Sequence, residues 1–150
     1  MMRTHTCGEL RPTQVGQRGT LCGWADTVRD HGGLIFIDLR DRHGLTQVTF
    51  DPQDSKPAWD AAQSTRSEFV IQIEGTVRAR PPEMVNPRLP TGGIEIQANE
   101  IVILNKAKPP PFPLEDTKAQ KVSEDLRLKY RYLDLRRAQM QRNLVLRHRI

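Results

Sequence analysis

The sequence predicts a mainly β fold, a small barrel of five strands, and three observations carry that reading. Five segments of strand length alternate apolar and polar residues with period two. One short helical segment falls between the third and the fourth. Every strand offers apolar residues along one face, which a sheet must do if it is to close on itself. The first strand spans residues 19–28, after a loop carrying Pro12 and Gly16. It ends at Arg29-Asp30-His31-Gly32-Gly33, a loop whose paired glycines allow a tight reversal. In the second strand, residues 34–40, Ile35, Ile37 and Leu39 share one face, while Phe36, Asp38 and Arg40 share the other. The turn Asp41-Arg42-His43-Gly44 leads to the third strand, residues 45–50. There Val48 and Phe50 join the apolar face and Leu45, Gln47 and Thr49 point away. Ser55 is placed to cap a helix over residues 57–66, with Pro57 in its first turn. Strand four, residues 69–80, sets Phe69, Ile71, Ile73 and Val77 against Gln72, Glu74, Thr76, Arg78 and Arg80. A loop with four prolines, residues 81–93, precedes strand five, residues 94–104, in which alternation resumes after a bulge. Three strands, a helix and two strands is the order of the OB-fold, a five-stranded Greek-key barrel. Gly23 and Gly75 would ease its coiling. A β-sandwich is the alternative, and the helix weighs against it.

Beyond residue 104 the character changes. Residues 105–122, with Pro109-Pro110-Pro111-Phe112-Pro113, read as a proline-rich linker. Ser123 caps a helical segment with Glu124 and Asp125 in its first turn and Leu126, Tyr130 and Leu133 at helical spacing. A second helical stretch follows Arg137 and runs to Ile150 with apolar positions that nothing further in the chain covers. Residues 123–150 are therefore expected to be hinge helices of a longer protein. The expected domains are 1–104, 105–122 and 123–150.

Composition narrows the function classes. A chain of 150 residues with formal charge +5 suits a polyanionic partner. No apolar run approaches the roughly 18 residues of a membrane span, and the N-terminus lacks the apolar stretch of a signal peptide. Cys7 and Cys22 stand apart with no histidine at ligand spacing, so no metal site is expected, and two reduced thiols indicate a cytoplasmic protein. No phosphate loop, nucleophile elbow or credible triad is present, so no catalytic residue is assigned. Asp38 and Asp41 lie among Arg40 and Arg42 and read as paired surface charges.

The hairpin carries the informative chemistry. Phe36, flanked on its face by Asp38 and Arg40, is misplaced for a core and well placed to stack a base. OB-folds bind oligonucleotides over strands two and three and the adjoining loops. That surface would hold Arg29 and His31 from the first loop, Phe36 and Gln47 from the hairpin, Arg80 from strand four, Asn86 from the second loop and Glu95 from strand five. Gln47 offers an acceptor and donors to a pyrimidine edge, the arginines suit phosphate or guanine, and Glu95 accepts base N–H groups. Each also has a plainer reading: solvated strand residue, surface charge, turn residue, or, for Glu95, a cross-strand partner of Arg78 or Arg80.

These residues resemble a known family along the whole chain. Leu21-Cys22-Gly23-Trp24, the run from Arg29 to Arg42, Gln47-Val48, Gly75-Thr76-Val77-Arg78-Ala79-Arg80, Pro110-Pro111-Phe112-Pro113 and the run from Arg127 to Arg137 are similar to the start of bacterial-type aspartyl-tRNA synthetases. The resemblance implies an OB-fold that binds the anticodon loop of tRNA-Asp, and possible use of tRNA-Asn, followed by a hinge. A class II catalytic domain that uses ATP and Mg2+ to activate aspartate, and that forms homodimers, would complete the protein; this chain alone should be inert and hold no cofactor. By the matching positions Phe36 would stack on an anticodon base and Gln47 would read the central uracil. Arg29, Arg80 and Glu95 would contact flanking bases, with Asn86 nearby. His31 and Met84 are candidates for setting tRNA specificity, and His31-Gly32-Gly33 resembles the form that also accepts tRNA-Asn. Asp26-Thr27-Val28 replaces the family's basic residues, which should weaken phosphate attraction and flatten the salt dependence. The rivals are a freestanding OB-fold that binds single strands and the equivalent domain of an asparaginyl or lysyl enzyme.

Overall fold

The computed structural model describes residues 2–119 and 121–150. It divides into two units, Met1–Lys108 and Pro109–Ile150. The boundary falls later than residue 104 because β5 continues to Asn105 and Ala107 packs against the barrel core.

The first unit is a closed barrel with strand order β1-β2-β3-β5-β4. Its strands are β1 (Arg18–His31), β2 (Leu34–Arg40), β3 (Leu45–Phe50), β4 (Val70–Ala79) and β5 (Ile94–Asn105). Leu21, Ile37, Leu39, Val48, Phe50, Ile71, Ile73, Ile94 and Ile96 fill the interior, as the alternation requires. All neighbours are antiparallel except β3 and β5, which close the barrel along a parallel seam with only Val48 opposite Ile96 and Thr49 opposite Gln97.

β1 is longer than its apolar pattern suggests. Its first half pairs with β4 and its second with β2, and Asp26 is an extra residue between the two registers. That bulge reverses the alternation. Leu21 and Ala25 point inward before it, and Val28 packs on the core after it, so Arg29 faces outward. Arg29 and His31 thus lie on a strand and not in a loop as the sequence reading expects. The loop shrinks to Gly32-Gly33, with φ of +63° and +85°, a two-residue turn whose backbone twist suits a hairpin and excludes most side chains.

Helix α1 (Lys56–Gln63) buries Ala58 and Ala62 against the barrel. The Ser55 hydroxyl accepts from the Ala58 N–H and donates to the Asn99 carbonyl. The helix stops short of residue 66 because Ser64 and Thr65 turn their hydroxyls back to Ala61. Trp59 donates its indole N–H to the Gly33 carbonyl at 2.7 Å, tying the helix to the hairpin tip. The expected bulge in β5 lies at Asn99, skipped between the pairs of Glu74 with Glu100 and Gly75 with Ala98. A methyl group on Gly75 would sit 2.3 Å from the Gln97 carbonyl oxygen, and one on Gly23 would sit 2.4 Å from that of Arg40.

The segment before β1, featureless in the sequence, adds Cys7 and Leu10 to the core. Burial pushes the Cys7 thiol up out of its ordinary range. Asp41 organises this end. Its carboxylate accepts from the backbone N–H groups of Cys7, His43 and Gly44 and from Arg3. It is a buried turn residue, which corrects its reading as one of a set of paired surface charges.

The linker expected over residues 105–122 is interrupted within the second unit. Phe112 and Ala119 are buried, and α2 (Asp116–Ala119) interrupts the segment. Then follow α3 (Glu124–Lys129), α4 (Arg131–Asp134) and α5 (Ala138–Arg149). The α3–α4 break is at Tyr130, with φ −108° and ψ 46°. Ser123 precedes α3 but its side chain makes no capping bond. Arg137 and Asp134, both almost fully buried, pair at 2.8 Å. Arg131 pairs with Asp134, and Arg137 with Asp116. Among the described residues no helix is long and apolar enough to cross a membrane.

Gly75→Ala is expected to lower the stability of the barrel by about 1–3 kcal/mol or more, because backbone and not a flexible side chain opposes the added methyl. Urea denaturation followed by circular dichroism checks this, and an unchanged midpoint would show that β5 can withdraw from β4 at little cost.

Candidate nucleic-acid interface

The outward faces of β1, β2, β3 and β5, with the end of β4, form one continuous surface. Cross-strand register sets its rows. Arg29 on β1 lies opposite Phe36 on β2, which lies opposite Thr49 on β3. Asp38 lies opposite Gln47, and Arg78 on β4 opposite Glu95 on β5. Phe36 and Gln47 are therefore diagonal neighbours on one face. Phe36 is half-buried and stands outside the barrel core. A planar ring held there by its strand offers a stacking platform.

A chain of polar contacts runs across the surface beside that ring. Arg29 donates to Asp38 Oδ1 at 2.9 Å and, at 3.4 Å, to Gln47 Oε1. Gln47 Nε2 donates to Glu95 Oε2 at 2.9 Å, and the Thr49 hydroxyl reaches the same oxygen at 3.0 Å. Arg78 places two N–H groups on Glu95 Oε1, at 3.0 and 2.6 Å. Only 6% of the Glu95 side chain is exposed. Its roughly four lone-pair sites are thereby filled, so a base N–H reaching Glu95 would have to displace one of these donors. Burial pushes the Asp38 carboxyl up from its ordinary value, with the Arg29 guanidinium opposing the shift. Arg80, half-buried, donates to the Ile94 carbonyl at 2.9 Å; burial draws its guanidinium down while Glu95 and Asp38 draw it up.

Arg29, Phe36, Gln47, Arg80 and Glu95 are thus gathered on one surface. His31 is exposed at the end of β1, beside the Gly32-Gly33 turn. Met84, 65% exposed, closes a short 3-10 turn in the loop between β4 and β5. Asn86 sits deeper in that loop and organises it. Its side-chain oxygen accepts from the Arg88 N–H, and its backbone pairs with Gly92 and Leu89. Its carbonyl side is spent on the turn. Asp26 is the bulge residue and accepts from Arg40 at 2.8 Å. Arg78 and Thr49 belong to the polar chain; the sequence named Arg78 only in the plainer reading of Glu95 as its cross-strand partner, a pairing that the structure shows, and did not single out Thr49. The signal was available, since both fall on the polar phase of their strands next to Arg80 and Gln47. Among the described residues no group of three or more His, Cys, Asp or Glu is placed to hold a metal ion.

Such a surface can stack a base on Phe36 and offer its edge an amide of defined orientation. Two arginines at its border can take phosphate.

Known proteins of this kind are similar. An aspartate–tRNA(Asp/Asn) ligase of Salinibacter ruber is 53% identical over 150 residues, covering 99% of this chain and 24% of that protein. One of Caldanaerobacter subterraneus is 54% identical, covering all of this chain and 25% of its own length. The chain therefore spans about a quarter of the curated relatives it matches. The crystal structure of asparaginyl-tRNA synthetase from Pyrococcus horikoshii superposes with a TM-score of 0.75 at 26% identity, over 91% of this chain and 30% of that one. The tRNA anti-codon family, described as an OB-fold nucleic acid binding domain, matches residues 20–104, more than half of the chain and all five strands. The closed five-stranded barrel is the OB-fold that this description names, and the chain belongs to this family of OB-fold nucleic-acid-binding domains.

Proposed function

We propose that this chain is the anticodon-recognition module of an aspartate–tRNA ligase. Its surface holds the anticodon loop of tRNA-Asp so that the acceptor end reaches a catalytic site elsewhere in the longer protein. That further part would bind ATP, Mg2+ and aspartate and form the homodimer, and the whole would work in the cytoplasm. The observation that carries the reading is Gln47, held between Arg29 and Glu95 on the same face as the half-buried ring of Phe36, which stands outside the core. One anticodon base stacks on Phe36. The central uracil offers N3–H to Gln47 Oε1 and a carbonyl oxygen to the second proton of Nε2. Arg29 and Arg80 flank this pair and meet neighbouring bases or phosphates, with Glu95 between them. The relatives named for both tRNA-Asp and tRNA-Asn support a tolerant 3′ anticodon base, since the two anticodons differ there. The exposed His31 and Met84 border the surface where that base would lie.

Fluorescence anisotropy with an aspartate-type anticodon stem-loop tests the reading. Changing the central U to A is expected to cost about 1–3 kcal/mol of binding, and overall affinity should fall with added salt. Equal affinity for both loops, falling together with salt, would make the chain a general single-strand binder. Phe36→Ala should leave the thermal melt in place and cost about 1–3 kcal/mol of RNA binding; a lost fold would assign the ring to the core. Stem-loops with C or U at the 3′ anticodon position are expected to bind with closely similar affinity, and a clear preference for C would restrict the module to tRNA-Asp.

A further inference from the structure

We propose that Glu95, itself held by Arg78 and Thr49, locks the Gln47 amide in the one orientation that accepts uracil and rejects cytosine. This rests on the reading of Gln47 as the residue facing the central base. A glutamine amide is by itself an ambiguous reader. Rotated by half a turn it exchanges its oxygen and its NH2 group, and with them the base edge that it fits. With Oε1 forward it accepts from uracil N3–H while Nε2 donates to the uracil carbonyl. Reversed, it would donate to cytosine N3 and accept from the cytosine amino group. An unrestrained Gln47 would therefore bind either pyrimidine.

The surroundings remove that freedom. On one side Nε2 donates to a carboxylate oxygen of Glu95 at 2.9 Å. On the other, Oε1 faces the Arg29 guanidinium at 3.4 Å. Reversal would set Oε1 against the Glu95 carboxylate and the NH2 group against the Arg29 cation. Both contacts would turn from attraction to repulsion in a partly buried site, where charges are weakly screened. With the amide held forward, cytosine meets acceptor against acceptor and donor against donor, and unpaired groups of that kind discriminate more strongly than a missing attraction does.

Glu95 can enforce this because it cannot turn away. Two N–H groups of Arg78 hold Oε1, and the Thr49 hydroxyl shares Oε2 with Gln47. Its carboxylate is acceptor only, so whichever oxygen faces Gln47, a donor must face it. Arg78 and Thr49 are positioning residues: they reach the base through Glu95 and Gln47. Arg29 on the opposite flank gives the same instruction from the oxygen side, while Asp38 holds Arg29 in place.

The test is the ratio of affinities for stem-loops bearing U or C at the central position, measured with the whole chain. The wild type should favour U by about tenfold or more, and Gln47→Ala should bring the ratio near unity. Glu95→Gln, which keeps shape but presents either an oxygen or an NH2 group, should cut the ratio severalfold, chiefly by improving binding of the C loop. Arg78→Met, which keeps the aliphatic stem of a half-exposed residue, should do the same in part and carries the test if Glu95→Gln fails to fold. An independent readout is the pair of side-chain amide NMR signals of Gln47 in the free protein, identified as those lost in Gln47→Ala. In the wild type one proton should lie well downfield of the other, and Glu95→Gln should narrow the separation. If the wild type prefers U and Gln47→Ala loses that preference, while Glu95→Gln and Arg78→Met keep it, the lock is overturned and the role of Gln47 stands. If the wild type binds U and C alike, the reading of Gln47 falls and the lock with it.

Discussion

The barrel closes along a parallel seam between β3 and β5 with only two register positions, and the surface beside it depends on how that seam is held. Backbone bonds alone leave β3 weakly attached to β5, whereas β4 and β5 pair along nearly their full lengths. Glu95 makes up the difference with its side chain. It stands next to the seam on β5 and collects donors from Gln47 and Thr49 on β3 and from Arg78 on β4. Three strands are thereby fixed to one carboxylate. Burying a carboxylate is costly unless its lone pairs are satisfied and a cation stands close, and here both conditions hold. Removing any one donor would leave part of a buried charge uncompensated. The contacts that complete the closed sheet are therefore the contacts that orient its recognition surface.

The same economy governs the hairpin tip. Gly32 and Gly33 make the turn possible, yet glycines leave a tip free to sway. The indole of Trp59 holds the Gly33 carbonyl, and Lys56 lies 4.1 Å from its ring. Helix α1 thus serves both ends of the problem. It buries Ala58 and Ala62 against the barrel and supplies an anchor for the strands that carry Arg29 and Phe36.

Alternation of apolar and polar residues was sufficient for the strands, because each inner face is aliphatic and each outer face polar. It also placed Phe36, Gln47 and Glu95 on the outer surface. What it could not carry was anything set by register. A bulge at Asp26 has no chemical mark, so Arg29 read as a loop residue when it is a strand residue. Which of Arg78 and Arg80 lies opposite Glu95 depends on the one-residue bulge at Asn99, four positions further along β5. Cys7, Leu10 and Asp41 act through contacts distant in sequence, and Asn86 through a turn that its neighbours complete. The buried pair of Arg137 and Asp134 lies in a run of charges that looks like a solvated helix face.

The bulge at Asp26 also sets what kinds of change this surface tolerates. It is a phase shifter: Leu21 and Ala25 face inward before it and Val28 after it, so an odd spacing between Ala25 and Val28 still serves one face. Exchange of Asp26 for another side chain leaves the count intact. Loss of Asp26 would join the pairs of Ala25 with Leu39 and of Thr27 with Asp38 without a bulge and keep Val28 inward and Arg29 outward. Flattening the bulge with every residue kept would instead carry Arg29 into the apolar interior and turn Val28 out to water. The first strand is thus a segment in which one residue can be present as a bulge or absent without turning the surface over, and variation along it should come as substitutions or as loss of the bulged position.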